Sequence, residues 1–169
     1  MKRLIVNSLD VRYERHTVFN KASMVVEAGS ISGLLGPNGS GKTTFFDVIC
    51  RLKKMEAGEI VNSFSTFLYL SQVITTPPVL RMFDVFKMMM IFCADVPVTQ
   101  KHALEKIEMW SPGVAERYCD IWNKKSSLCS YGEKRWFFTL SLLAVGADLV
   151  ILDEPTAVSY THLTLPTSD

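Results

Sequence analysis

The chain has no apolar run long enough to cross a bilayer. Residues 88–94 (MMMIFCA) fall far short of the roughly 20 apolar residues that a spanning helix needs. The longer run at 136–146 is closed by Asp148 and reads as a buried helix. An excess of either charge is also lacking: 18 Lys and Arg stand against 17 Asp and Glu, a formal net charge of +1. That balance gives no support for a nucleic-acid surface, and no nucleic-acid partner is expected. The four cysteines, Cys50, Cys93, Cys119 and Cys129, contain no C-x-x-C pair, so neither a zinc site nor a redox couple is suggested. A reduced, cytosolic setting is the simplest expectation. Internal repeats and low-complexity stretches are missing. Lys2 and Arg3 lead straight into a short strand pattern, so no secretory leader is expected. What remains, with 48% hydrophobic residues in 169, is material for one α/β domain with a sizeable core.

Against that background, residues 36–43 read Gly-Pro-Asn-Gly-Ser-Gly-Lys-Thr and follow the apolar run Ile-Ser-Gly-Leu-Leu at 31–35. This is the phosphate-binding pattern G-x-x-x-x-G-K-[ST] in the context of strand, tight loop and helix. Glycines at 36, 39 and 41 let the backbone curl and turn successive N–H groups inward. A helix starting near Lys42 adds its positive dipole end. Lys42 supplies a point charge for the β- and γ-phosphates, and the Thr43 hydroxyl is placed to ligate Mg²⁺. Asn38, Gly39, Ser40, Gly41 and Thr44 complete the expected cradle for ATP.

A second signal lies near the end of the chain. Residues 149–152 (LVIL) form a continuous apolar run ending in Asp153-Glu154. A central parallel strand covered on both faces reads this way. Its C-terminal end is where such sheets bind ligands. Asp153 is therefore expected to hold Mg²⁺ through water, and Glu154 to polarise the water that attacks the γ-phosphate.

Taken with Gly36–Thr44 and the run Leu152-Asp153-Glu154-Pro155-Thr156-Ala157, the chain resembles the nucleotide-binding domain of ATP-binding cassette (ABC) proteins over residues 1–157. Three further features fit in order. Tyr13 matches the aromatic residue that stacks on adenine in this family. Gln72, after the strand-like 67–70, matches the Q-loop glutamine that contacts Mg²⁺ and the attacking water. Ser130-Tyr131-Gly132-Glu133 matches the signature whose common form is Ser-Gly-Gly-Gln, and its offset from Asp153 is the family's. Tyr131 and Glu133 depart from that form. Ser130 and Gly132, which the resemblance assigns to the γ-phosphate of ATP held by the opposite subunit, are kept.

After Ala157 the family continues with a Gly-Leu-Asp type loop, whereas 158–167 (VSYTHLTLPT) resembles a translated transposase sequencing adapter. Residues 158–169 are accordingly expected to be a non-native tail. The cassette is then incomplete at its C-terminus, without the D-loop, at least one strand and the switch histidine. Such a chain is expected not to turn over ATP alone. His162 belongs to the tail and is no substitute for the switch histidine. His16 and His102 read as surface residues.

The coarse pattern predicts an N-terminal antiparallel β subdomain from 3–7, 10–13 and 23–27, then a strand at 31–35 and a helix at 42–53. That helix would bury Phe45, Phe46, Val48, Ile49 and Leu52. Ala57-Gly58 reads as a turn and 66–70 as a strand ending at Gln72; Pro77-Pro78 then breaks the chain. Residues 80–121 read as mostly helical, interrupted near 95–99 and 111–113. This stretch lies in the inserted helical subdomain, at about 75–135, that the resemblance implies. Its Met82, Met88, Met89, Met90 and Met109 are split between core packing and an adaptable contact surface.

The resemblance implies a P-loop NTPase with an ABC-type ATPase core. It would be the ATP-binding subunit of a transporter, Mg²⁺-dependent and lying peripherally on the cytoplasmic face of the membrane. Its partners would be a transmembrane permease subunit and a second ABC subunit, identical or related, closing head to tail around two ATP molecules. The alternatives are a soluble ABC ATPase acting on ribosomes or DNA, and a nucleotide-dependent regulator without turnover. Neither a charged linker between two cassettes nor a long coiled-coil insertion is seen.

Overall fold

A computed structural model describes residues 1–13, 16–93 and 99–155, with the side chains of Phe92 and Cys93 left out. The expectations for Thr156-Ala157, for the 158–169 tail with His162, and for most of the interruption at 95–99 lie outside the described residues. The chain divides into two compact units. One comprises Met1–Gln72 and Ala147–Asp153; the other comprises Val73–Gly146 with Glu154 and Pro155.

In the first unit, β1 (Arg3–Tyr13) is the middle strand of an antiparallel sheet, between β2 (His16–Glu27) and β3 (Ala57–Asn62). β1 buries Leu4 and Val6, then Leu9 and Val11, so its buried positions jump from even to odd. In a regular strand that slip would send the second pair to solvent. The pairing is irregular between Val6 and Leu9 on the β2 side and between Asn7 and Asp10 on the β3 side, with Ser8 at φ +47°. The bulge absorbs one residue and keeps both pairs on the core face. The separate strands expected at 3–7 and 10–13 are therefore one strand, and 23–27 is the end of a longer one.

The expected turn at Ala57-Gly58 instead opens β3. Gly58 has φ +108°, and a Cβ there would lie 2.7–2.8 Å from the carbonyl oxygens of Ser8 and Asn7 and from Leu9 Cα. The glycine thus lets β3 approach the bulge of β1. β3 carried no strand signal because it half-buries Ile60 alone, leaving no apolar alternation to read.

The helix α1 (Lys42–Ile49) buries Phe45, Val48 and Ile49 in the cluster formed by Leu4, Val6, Leu9 and Val11 of β1. Phe19 of β2 meets Phe45 edge-on with ring centroids 5.5 Å apart. The helix is shorter than the expected 42–53. Arg51 turns the chain at φ +59° and leaves Leu52 exposed.

β4 (Phe67–Leu70) and β5 (Leu149–Leu152) pair in parallel, Phe67 opposite Leu149 and Leu70 opposite Leu152. Two expectations fail here. Residues 31–35 join neither sheet, and Ile31 and Leu35 are exposed. β5 is also not central: among the described residues it pairs with β4 alone, and only Ile151 of its side chains is fully buried. Apolar composition makes a strand only where a neighbouring backbone completes the hydrogen-bond ladder, and none does so at 31–35. The entry to β5 is fixed by Asp148, which accepts from the Ser65 and Thr66 amides at 2.9 and 3.3 Å and pairs with Lys2 at 2.7 Å.

The second unit is helical: α2 (Met82–Cys93), α3 (Gln100–Trp110), α4 (Pro112–Trp122) and α5 (Tyr131–Val145). Thr99 caps α3, accepting from the His102 amide, and Pro112 occupies the first turn of α4, where its missing N–H costs nothing. The core is aromatic. Tyr118 stacks on Phe137 at 4.6 Å, Trp122 packs on Phe86 at 4.9 Å, and the Tyr118 hydroxyl meets Ser141 Oγ at 2.6 Å. Burial of Tyr118 raises its phenol pKa, so it stays neutral and able to donate. Met82 and Met90 are buried, while Met88 and Met109 are exposed. A short ladder joins the segment after the prolines to the one before α5: Ser126 N donates to Leu80 O at 2.8 Å and Met82 N to Lys124 O at 3.0 Å.

Gly58→Ala should destabilise the protein by about 2 kcal/mol or more, because the backbone is left-handed there and the added methyl meets main-chain atoms that cannot swing aside. Urea unfolding at neutral pH checks this; a loss under about 0.5 kcal/mol would contradict the close approach of β3 to the bulge.

Candidate functional site

The phosphate-type loop lies between residue 35 and α1. Gly39 and Gly41 adopt φ +80° and +94°. Gly41 is the N-cap of α1, with its carbonyl accepting from Phe45 N at 2.8 Å. A Cβ at 41 would stand 2.5 Å from Val18 Cγ1 and 3.2 Å from Phe19, so β2 presses directly on the loop backbone. No acidic residue sits in the first turn of α1 itself, so its positive end faces the loop without a negative side chain of its own. The Lys42 ammonium folds back across the loop and donates to the carbonyls of Gly36 and Pro37 at 2.8 and 3.0 Å. Asn38, Gly39 and Ser40 form the exposed crest, and Ser40 N donates to Pro37 O at 3.2 Å. Thr44 lies in the first turn, partly buried.

Thr43 is where loop and sheet meet. Its Oγ1 donates to Asp153 Oδ2 at 2.7 Å, and Asp153 is only 1% exposed, one residue beyond β5. Asp153 N donates to Leu70 O at 3.0 Å, which continues the β4–β5 ladder past the strand. The parallel register sends Gln72 and Asp153 out of the same end of the sheet. Gln72 is exposed. A hydroxyl beside a buried carboxylate is an all-oxygen donor pair that suits Mg²⁺, which takes one or two protein oxygens plus substrate phosphates. Among the described residues no three His, Cys, Asp or Glu side chains cluster as a protein-only metal cage.

Behind Thr43, Tyr69 Oη lies 3.2 Å from Asp47 Oδ1. Burial, then the carboxylates of Asp47 and Asp153, raise the Tyr69 pKa, so the phenol remains a donor. Burial and Asp47 likewise push the Cys50 thiol up to about 11, making it inert at neutral pH.

Tyr13 ends β1 and is 60% exposed, with Lys53 Nζ 4.3 Å from its ring centroid. The ring is available as a platform, but a cation already covers one face. The sequence pattern had not singled out Lys53. A cavity of about 420 Å³ opens at the other end of α1, lined by Val48, Ile49, Met55, Ile60 and the basic Arg51, Lys53 and Lys54. It is not the phosphate loop, whose concavity is made of backbone.

In the second unit Ser130 is the N-cap of α5. Its Oγ accepts from Glu133 N at 3.1 Å, and Glu133 Oε2 accepts from Ser130 N at 2.8 Å. This reciprocal capping box explains how Glu133 serves where the family's common residue is Gln: either side chain offers the returning acceptor. Lys124 Nζ neutralises the extra charge at 2.9 Å from Glu133 Oε1. Hydrogen bonds from Lys124 and from the Ser130 amide hold the Glu133 carboxyl below its ordinary range. Gly132, in the first turn, has open space where a Cβ would be. Glu154 stands at φ +52°, and its carbonyl accepts from Arg135 Nε at 2.9 Å. Arg135 had gone unnoticed, because beside Lys134 it reads as one more surface charge before an apolar run.

The family profile described as ABC transporter matches residues 19–157. Protein McbF of Escherichia coli is 35% identical over 160 residues, which make up 90% of this chain and 64% of that protein. A probable ABC transporter ATP-binding protein of Cyanophora paradoxa is 30% identical, covering 94% of this chain and 69% of its own length. The chain thus spans about two thirds of the length of these relatives. The tungstate uptake system ATP-binding protein TupC of Peptoclostridium acidaminophilum is 28% identical over 92% of this chain. Among solved structures, a putative ABC transporter ATP-binding protein from Pyrococcus furiosus superposes with a TM-score of 0.76 at 25% identity. That match covers 94% of this chain and 78% of the other.

The capping box carries a pH signature. Because Glu133 is depressed in the folded state, its contribution is present above its unfolded pKa and is lost as pH falls through the folded value. Wild type should therefore exceed Glu133→Gln in stability at pH 7, and the gap should close on acidification below the ordinary carboxylate range. Urea unfolding of both proteins from pH 7 to about 3 checks this; a gap unchanged with pH would contradict it.

Proposed function

The chain belongs to the ABC transporter family, and from that premise we propose that it is the ATP-binding subunit of an ABC transporter, coupling ATP binding and hydrolysis to transport. The observation that carries this reading is the 2.7 Å bond from Thr43 to the buried Asp153, which joins the phosphate-type loop to a strand end. That pairing makes chemical sense as an oxygen pair waiting for a phosphate-bound cation.

In the proposed cycle Lys42 exchanges the carbonyls of Gly36 and Pro37 for the β- and γ-phosphates of ATP, and the amides of 38–44 turn to the same oxygens. Tyr13 gives the adenine an aromatic face. Thr43 and Gln72, with Asp153 through water, are the residues that would hold Mg²⁺. When bound, the ion supplies Lewis-acid neutralisation of charge on the phosphates. Glu154 orients a water in line with the γ-phosphorus and accepts its proton. The new P–O bond forms as the bond to the β-phosphate oxygen breaks, releasing ADP and phosphate. Two subunits, identical or related, close head to tail, each offering Ser130 and Gly132 to the ATP held by the other.

No helix among the described residues is long and apolar enough to cross a membrane. In this reading the transport path belongs to a separate transmembrane permease subunit, with this chain docked on the cytoplasmic face. The names of the tungstate-uptake relative and the other ATP-binding relatives support the transporter class without fixing a cargo.

Two substitutions in the full-length protein test the reading. Lys42→Ala should weaken MgATP binding about tenfold or more, since a hydrogen bond to a charged group contributes roughly 1.5–3 kcal/mol. Calorimetric titration showing unchanged affinity would remove the phosphate-loop assignment. Glu154→Gln should bind MgATP at wild-type affinity and lose nearly all turnover. Steady-state phosphate release within threefold of wild type would take Glu154 out of the catalytic role.

A further inference from the structure

The side chain of Arg135 is almost entirely buried, with 2% of the residue exposed, in the second turn of α5. Its Nε donates to the main-chain carbonyl of Glu154 at 2.9 Å. A guanidinium is costly to bury and is kept inside only where its donors meet acceptors. One acceptor it meets belongs to a residue whose backbone is itself unusual. Glu154 stands at φ +52°, a region that non-glycine residues rarely adopt. Pro155 follows it, and a residue before proline is steered toward extended conformations by the proline ring. Local preference therefore opposes the observed conformation twice. Something tertiary has to hold the peptide, and the arginine bond is a tertiary contact that reaches it.

The geometry points to Arg135 as a positioning residue for Glu154: by clamping the 154 carbonyl it holds the left-handed turn, and the turn sets the direction in which the Glu154 carboxylate leaves the chain. Arg135 itself touches neither nucleotide nor water in this scheme. The inference rests on the reading of Glu154 as the residue that orients and deprotonates water. Without the clamp the peptide relaxes toward the extended conformation that Pro155 favours. The carboxylate then shifts while the phosphate-binding loop is untouched, so turnover falls and ATP affinity stays. A misplacement on the order of 1 Å suffices to cost about a hundredfold in rate.

The chemistry of the side chain offers a sharp test. In Arg135→Gln the amide nitrogen occupies the position of the arginine Nε and still donates, without the charge. In Arg135→Met a methyl carbon occupies that position and nothing donates. Both variants lose the charge, so the difference between them reports the single bond to the Glu154 carbonyl. In the full-length protein, Arg135→Met should lower kcat about a hundredfold, with the Kd for MgATP within threefold of wild type. Arg135→Gln should keep kcat within about tenfold. Equal kcat for the two folded variants, or a Met variant whose affinity falls together with kcat, would overturn the assignment.

If the Met variant fails to fold, Arg135→Lys replaces it. Lysine keeps the charge but moves the donor one bond farther out, and should cost at least tenfold in kcat at unchanged Kd and melting temperature. A rate within threefold of wild type would then overturn the assignment. Glu154→Gln is measured in the same series. Retained turnover in that variant sinks the role of Glu154, whereas lost turnover there together with indistinguishable Gln and Met variants at 135 sinks only the positioning role.

Discussion

The carboxylate of Asp153 is taken out of water at the end of a strand, and its burial dictates much of what surrounds it. An ion in that position needs hydrogen bonds to offset its lost hydration. Thr43 Oγ1 supplies one at 2.7 Å from the first turn of α1. For the hydroxyl to reach the carboxylate, α1 must begin where it does, and Gly41 must hand the chain into the helix at a left-handed φ. Val18 and Phe19 of β2 leave no room for any side chain at that glycine. One bond between a loop and a strand end thus transmits the packing of the antiparallel sheet to the backbone that would face phosphate.

The second unit meets a different problem, the placement of charged side chains against a helical, largely aromatic core. Three of them along α5 are met by a specific acceptor or counter-charge. Lys106 Nζ donates to the Ala144 carbonyl at 3.0 Å, at the C-terminal end of α5 where the dipole favours a cation. Lys124 offsets Glu133 at the opposite end of the same helix. Arg135 turns inward to the Glu154 carbonyl. The helix carrying Ser130 and Gly132 is therefore pinned at both ends and along its first turns, so a ligand meeting its N-terminus would meet a fixed set of amides.

Legibility in the sequence followed the range of the forces involved. The phosphate-type loop, the interruption near 111–113 and the helices after residue 80 were readable because turn chemistry and helical periodicity act within a few residues. The strand β1 was seen but split in two, since a bulge at Ser8 looks, in a one-dimensional pattern, like the end of one strand and the start of another. The strand β3 was missed, because an edge strand with one half-buried side chain has no alternation to detect. The apolar run at 31–35 was read as a strand and is not one, and β5 was read as central and pairs with β4 alone. In both cases the residues have the right composition, and what decides the outcome is whether a partner backbone is present.

The amino-acid order by itself determined the candidate chemistry: three glycines, a lysine and a threonine spaced to line phosphates with donors, an acidic pair after an apolar strand, and the Ser-Tyr-Gly-Glu run at 130–133. Those features depend on residue type and local backbone freedom, which a sequence states outright. Only the tertiary structure decided that Thr43 reaches Asp153, that Lys53 covers one face of Tyr13, and that Arg135 clamps the peptide of Glu154. Each of these joins residues far apart in the chain through side chains whose types are commonplace. The energy that selects them comes from setting a particular ion or ring against a particular neighbour, and that neighbour is defined only once the chain has folded.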